Sequence, residues 1–322
     1  MEGIENKRTA ILFGLSLFVL MSLIILLFFY EREQKRIIIE DGVQRAESGT
    51  KHITANLNLE AQAVYVFDTK TNTVLYAKNA EAQLPLASLT KLMTAIVASE
   101  YLKPTDRIAI NDSDLLAEGD SGLVSGETWS VRDLLSFTLV VSANDGALAL
   151  ARTAGERAEK EIKEKTLSQK SSVEQFITLM NEKARAIGLE QTYFLNPTGL
   201  DATEYTGGGY GSAHDAALML LYTLKNNFST IETTRQPEIA YQSEGNLEDY
   251  RAINTNQIID KIPGLIASKT GFTDLAGGNL VIAFDAGINH PIVIAVLGST
   301  FEGRFSDIDT LIQETLRVMA LQ

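Results

Sequence analysis

Extended, β-rich runs sit near both ends of the globular part of this chain, and only helical patterns lie between them. Ala63-Val64-Tyr65-Val66-Phe67 and Val74-Leu75-Tyr76 flank Asp68-Thr69-Lys70-Thr71-Asn72, a run of turn formers, so the first pair reads as a hairpin. Strand patterns return only at Leu265-Ile266-Ala267 running into Lys269, at 279–284 and at 292–297, ahead of a closing helix from about residue 306. Apolar spacing predicts helices over 88–102, stopped before Pro104, over 131–154 as one long helix or a helix pair, and over 173–187 and 213–225. Such a chain must assemble one sheet from its two ends and carry a helical lobe as an insertion. The expected fold class is α/β in the broad sense: an α+β sheet with flanking helices plus an inserted all-helical lobe.

The N-terminus stands apart from that fold. Between Arg8 and Glu31 lie 22 uncharged residues, enough helix to cross a hydrocarbon core of roughly 30 Å. The run is longer than a signal peptide's apolar region, and Tyr30-Glu31-Arg32-Glu33 follows it where a small-residue cleavage site would stand. The expected organisation is a cytoplasmic N-terminus over 1–8, a transmembrane signal anchor over 9–30, a polar stalk over 31–56 and one catalytic domain over 57–322. Lysines and arginines flank the anchor on both sides, so charge alone does not orient it.

A net charge of −13 excludes nucleic acid as an expected partner, since phosphate binding needs a basic face. The chain has no cysteine, so thiol catalysis and thiolate metal sites are ruled out. Its three histidines, His52, His214 and His290, show no metal-ligand spacing, and no metal or other cofactor is expected. His214 is the one histidine near helical, motif-like sequence, and it is expected on a helix surface rather than in a Ser-His-Asp triad. Gly207-Gly208-Gly209 reads as a flexible turn, without the Lys-Ser/Thr of a phosphate loop. The charge-dense stretch over 155–172 reads as a solvated helix extension or surface loop.

Three short motifs supply the parts of an acyl-transfer site. Ser88-Leu89-Thr90-Lys91 opens an apolar helix, which puts Ser88 and Lys91 on one face with Cβ atoms roughly 5–6 Å apart. A serine hydroxyl needs a base near neutral pH, and a lysine serves only when burial or nearby cations lower its pKa. Ser142-Ala143-Asn144 follows the apolar Leu139-Val140-Val141, and Lys269-Thr270-Gly271 follows a strand, where Gly271 permits close backbone approach. Each motif alone is weak; Ser-x-x-Lys recurs at Ser48-Gly49-Thr50-Lys51 in the stalk. Taken singly, Ser88 and Ser142 read as helix caps and Lys91 as a surface charge. All three in this order, 54 and then 127 residues apart, make that joint reading improbable.

The set resembles the serine D-Ala-D-Ala carboxypeptidases of the low-molecular-weight penicillin-binding class. The likeness extends over about residues 60–320. It includes Pro85-Leu86-Ala87-Ser88-Leu89-Thr90-Lys91-Leu92-Met93-Thr94-Ala95, Ser142-Ala143-Asn144-Asp145 and Asn196-Pro197-Thr198-Gly199-Leu200-Asp201. It continues through Lys269-Thr270-Gly271-Phe272-Thr273-Asp274, Ala276-Gly277-Gly278-Asn279-Leu280 and Phe301-Glu302-Gly303-Arg304.

The resemblance implies a β-lactamase/penicillin-binding-protein-like fold. It casts Ser88 as nucleophile, Lys91 as its base, Ser142 as proton relay and Asn144 as the group that orients the substrate amide. Lys269, Thr270 and Arg304 would bind the terminal carboxylate, and the backbone N–H groups of Ser88 and Phe272 would form the oxyanion hole. It further implies peptidoglycan stem peptides as substrate, β-lactams as covalent inhibitors, and an extracytoplasmic domain held to the membrane by the N-terminal helix.

A D,D-endopeptidase, a transpeptidase, a β-lactamase and a non-catalytic penicillin-binding sensor or scaffold remain alternatives. A class A β-lactamase needs Glu-x-x-Leu-Asn; before Leu195-Asn196 that glutamate position holds Thr192, with Glu190 two residues early. The chain also reads as departing from the family in its N-terminal anchor, in lacking a C-terminal β-rich domain, in an apparent insertion over 155–172, and in the composition of 260–268.

Overall fold

The computed structural model describes residues 52–54, 57–162, 171–244 and 249–320, with the side chains of 161 and 162 excepted. The expected cytoplasmic segment, the anchor over 9–30 and most of the stalk lie outside the described residues.

The hairpin forms as expected, with β1 over Ala63–Asp68 and β2 over Thr73–Lys78. After the two-residue β3 (Leu84–Pro85), a 3-10 turn over Ala87–Leu89 leads into helix α1, Thr90–Tyr101. The chain continues through β4 (Arg107–Ala109), β5 (Thr128–Ser130), α2 (Val131–Val140), α3 (Asn144–Ile162) and α4 (Ser172–Ala186). Then come β6 (Tyr193–Phe194), β7 (Gly209–Gly211), α5 (Ala213–Asn226), the short α6 (Phe228–Ile231), β8 (Glu238–Tyr241) and β9 (Tyr250–Ile253). Three long strands, β10 (Leu265–Thr273), β11 (Gly277–Asp285) and β12 (Pro291–Ser299), precede α7 (Gly303–Ala320).

The two ends meet as the sequence requires. The five-stranded sheet has the order β10-β11-β12-β1-β2, with β1 antiparallel to β12 from Ala63 opposite Leu297 to Asp68 opposite Ile292. Both faces of this sheet are covered, which is why its inner strands are apolar throughout instead of alternating. Side chains still alternate in direction along each strand. Val64, Val66, Ile282, Phe284, Ile294 and Val296 pack with Phe305, Ile308 and Leu311 of α7. Ala63, Tyr65, Val281, Ala283, Val293 and Ala295 face the larger core shared with the helical lobe. Asp307 of α7 fastens the start of β1, accepting the backbone N–H groups of Glu60 and Ala61 at 3.0 and 2.8 Å and the Ser299 hydroxyl at 2.7 Å.

At the centre of the lobe runs α1, buried continuously from Thr90 to Ala98, so a helix with no exposed stripe follows the turn that holds Ser88. The pattern over 131–154 resolves into two helices broken at Val141–Ala143. The charge-dense stretch continues α3 to Ile162, and 163–170 lie outside the described residues. α4 then opens on a capping box between Ser171 and Glu174.

The three glycines at 207–209 correct the expectation of a flexible turn. A Cβ on Gly208 would stand 2.2 Å from the Leu200 carbonyl oxygen, and one on Gly209 would stand 2.8 Å from Thr90 Oγ1. Their lack of side chains lets β7 press against the site loop and α1.

Candidate active site

β10 is an edge strand of the sheet, and it lies beside the 3-10 turn that holds Ser88. Gly271 makes the approach possible: a Cβ there would stand 3.0 Å from Leu86 O and 3.1 Å from Ser88 N. Ala87, immediately before Ser88, has φ +47°, a left-handed conformation that costs a non-glycine residue roughly 1–2 kcal/mol. The surrounding structure holds it there. Asn279 of β11 donates from Nδ2 to Pro85 O at 2.9 Å and accepts the Gly298 N–H at 2.8 Å, so the strand before Ser88 is tied to the sheet. Gly199 packs on the other side of the turn, where a Cβ would lie 1.9 Å from Ala87 O.

Lys91 is fully buried. Its Nζ sits 2.9 Å from Ser88 Oγ, 2.6 Å from Asn144 Oδ1 and 2.7 Å from Thr198 O. Burial lowers its pKa to about 7, against a smaller opposing pull from the Asp145 carboxylate. An amine with that pKa is neutral in a large fraction of molecules near neutral pH. The two carbonyl oxygens then hold its two N–H bonds, and its lone pair is left for the Ser88 hydroxyl. This is the arrangement of a general base on a serine nucleophile.

The second and third motifs converge on the same place. Ser142 lies between α2 and α3 with φ +64°, and its Oγ accepts from Lys269 Nζ at 2.9 Å; it caps no helix. Asn144, the first residue of α3, also donates from Nδ2 to Glu118 O at 2.6 Å, so both ends of its amide are fixed. Lys269 is buried and donates to Thr270 O at 2.8 Å. Burial, then the nearby Lys91 and Arg304 cations, push its pKa well below the ordinary lysine value. Thr270 Oγ1 lies 2.6 Å from Thr255 Oγ1.

Arg304, near the start of α7, donates from Nη1 to Gly271 O at 2.8 Å and thereby braces β10. Its guanidinium lies 4.4 Å from the Phe301 ring centroid and 4.7 Å from that of Phe305, and burial lowers its pKa to about 10. Its buried Nε has no acceptor. Among the described residues neither Lys269 nor Arg304 forms an ion pair. Buried basic groups without counter-ions mark a pocket that favours an anionic ligand group, whose charge would hold Lys269 protonated. Phe272 is exposed at this mouth, its ring edge-on to Phe301.

The structure therefore brings together Ser88, Lys91, Ser142, Asn144, Lys269, Thr270 and Gly271, with Arg304 and Phe272 at the end of β10. Sequence reasoning missed the carbonyls of Thr198 and Glu118 and the hydroxyl of Thr255. Backbone acceptors have no side-chain signature, and Thr255 stands in an unremarkable polar stretch. The turn from Asn196 to Gly199 is built by Asn196 Oδ1, which accepts the Thr198 and Gly199 N–H groups at 3.2 and 2.7 Å. Thr192, where a class A β-lactamase would carry its glutamate, donates to Asp215 Oδ2 at 2.7 Å, and Glu190 is exposed. His214 lies in the first turn of α5, half buried, with its Nδ1 3.2 Å from Glu81 Oε1.

A buried lysine on a serine, a second serine bridged to a second lysine and a helical lobe over an antiparallel sheet define the active-site-serine penicillin-recognising class. Comparison with known proteins narrows this. The family model for D-alanyl-D-alanine carboxypeptidases, peptidase family S11, matches residues 50–300, and the chain belongs to that family. It is 30% identical over 265 residues to the carboxypeptidase DacF of Bacillus subtilis, covering 80% of this chain and 63% of that one. It is 31% identical over 234 residues to a D-alanyl-D-alanine endopeptidase of Pseudomonas aeruginosa, covering 70% and 67%. Among solved structures, the carboxypeptidase DacD of Francisella tularensis superposes with a TM-score of 0.69 at 26% identity, covering 84% of this chain and 74% of that one.

Proposed function

We propose that this protein is a membrane-anchored D-Ala-D-Ala carboxypeptidase that trims the terminal D-Ala from peptidoglycan stem pentapeptides and is acylated by β-lactams. The carrying observation is the buried Lys91 amine 2.9 Å from Ser88 Oγ, with its pKa lowered to about 7.

Lys91 takes the Ser88 proton as the hydroxyl oxygen attacks the carbonyl of the penultimate D-Ala. The N–H groups of Ser88 and Phe272 receive the developing oxyanion, a contribution typically worth about 3–4 kcal/mol per donor. Ser142, hydrogen-bonded to Lys269, relays to the departing amine the proton that Lys91 took from Ser88. Lys269 and Thr270 bind the terminal carboxylate, and Arg304 adds its field from behind Gly271. That carboxylate supplies the counter-charge these buried cations lack. Water then hydrolyses the ester on Ser88.

An endopeptidase reading has support from the Pseudomonas relative's name, and the two activities use the same groups with a different leaving amine. A β-lactamase reading has less, because the glutamate position of that class holds Thr192, which donates to Asp215, and Glu190 is exposed.

The uncharged run at 9–30 supports an anchor, and a wall substrate places the catalytic domain outside the membrane. A membrane-impermeant fluorescent penicillin tests this and the serine chemistry together. Intact cells should label the wild type and not Ser88→Ala. Labelling only after lysis would refute the outward orientation; no labelling in the lysate would refute acylation of Ser88.

A further inference from the structure

We propose that Glu81, His214 and Asp215 form a binding site for a first-row divalent metal ion of the zinc type, outside the catalytic centre. Glu81 stands 133 residues before the adjacent His214 and Asp215, so no linear motif announces the set. In the β3–β7 ladder Leu84 pairs with Gly211. Glu81 stands three residues before Leu84 and His214 three after Gly211, off the same end of the ladder. The His214 N–H donates to Ala80 O at 3.1 Å and closes that end.

His214 Nδ1 lies 3.2 Å from Glu81 Oε1 and 3.7 Å from Asp215 Oδ1, and one ligand atom from each residue falls within 4.8 Å of the others. Tetrahedral zinc with bonds near 2.0–2.1 Å sets its ligand atoms roughly 3.3 Å apart, so small side-chain adjustments would complete three corners and leave the fourth to water. One imidazole with two carboxylates suits zinc and its first-row neighbours better than calcium or magnesium, which want more oxygens.

The independent observation is at Asp215. Its side chain is 1% exposed, and its Oδ1 is a buried carboxylate oxygen with no hydrogen-bond donor. Such an atom is costly unless something positive meets it. Its other oxygen is satisfied, accepting from the Gln191 N–H at 2.8 Å and the Thr192 hydroxyl at 2.7 Å. That is how outer partners orient a carboxylate that ligates a metal. The His214 ring is likewise held, edge-on to Tyr65 with centroids 5.0 Å apart. A protonated His214 would reach both carboxylates, but its Nδ1 stands 3.7 Å from Asp215 Oδ1 and leaves that oxygen without a hydrogen bond; a divalent ion would satisfy it and neutralise both carboxylates. Glu81 is 62% exposed and leaves an entry path.

Bound metal would clip the β2–β3 connection to the N-terminus of α5, just ahead of the strand that leads into Ser88. The test is calorimetric titration of zinc chloride into the untagged, chelator-stripped full chain in detergent. The chain has no cysteine, so no thiolate competes. Wild type should bind one zinc per chain and gain thermal stability. His214→Ala and Glu81→Gln, the second at an exposed position that leaves the fold alone, should each weaken binding by roughly 100-fold or more. No zinc binding by the wild type, or binding undiminished in both variants, would overturn the proposal.

Discussion

Lys91→Met leaves a folded chain whose acylation by benzylpenicillin is slower by roughly 10²–10⁴-fold, the range that a positioned general base contributes. Methionine fills most of the lysine's volume in a fully buried site and removes only the amine. Asn144 Oδ1 and Thr198 O each lose a donor, at about 1–3 kcal/mol apiece where no water replaces it. Against that, the variant no longer buries an amine. The pH profile separates loss of the base from loss of shape. Burial lowers the Lys91 pKa from 10.5 to about 7, so the amine is protonated and inert below that value and competent above it. Wild-type acylation therefore rises with pH through about 7. The variant should lose this limb and keep a flat, low rate. A variant that is slow but retains the limb would assign the proton transfer to another group.

Gly199→Ala is the second large effect, and it tests the backbone around the nucleophile. The residue has φ +81°, and a Cβ there would meet Ala87 O at 1.9 Å and Ala87 C at 2.4 Å. No side-chain rotation relieves a clash with backbone, so the turn must move off the nucleophile segment. That turn presents Thr198 O to Lys91, and a shift of about 1 Å at such a contact can cost 10²-fold in rate. We expect acylation slowed by about 10²-fold and a melting temperature lowered by several degrees. Gly188→Ala is the matched control. Its φ is +80° with nothing within 4 Å of the added carbon, so it should carry only the backbone strain, about 1 kcal/mol, and acylate normally. Equal behaviour of the two variants would refute the role given to the Gly199 contact.

What could be read from the sequence follows the length of the pattern each element leaves. The hairpin, the three C-terminal strands and the helices extend over enough residues for apolar periodicity to show, and they form within a few residues of their expected bounds, except that the pattern over 131–154 is two helices of which the second runs on to Ile162. The ladders at Leu84–Pro85, Tyr193–Phe194 and Gly209–Gly211 are two or three residues long and leave no period to detect. For the same reason the glycines at 207–209 looked like loop, because only the packed structure reveals what a Cβ would strike. Motif order was enough to collect Ser88, Lys91, Ser142, Asn144 and Lys269. It could not reveal that Ala87 and Ser142 hold left-handed backbone, nor that Arg304 reaches the site through the Gly271 carbonyl. Such features arise from tertiary over-determination of single residues, which composition and spacing do not encode.

The most direct measurement is release of free D-Ala by the detergent-purified full chain from a peptide ending in Lys-D-Ala-D-Ala, with Ser88→Ala beside it. A carboxypeptidase acting through an acyl-enzyme on Ser88 predicts repeated turnover by the wild type and none by the variant. Release that survives Ser88→Ala would contradict the nucleophile, and no release by a wild-type chain that still reacts covalently with penicillin would contradict the carboxypeptidase.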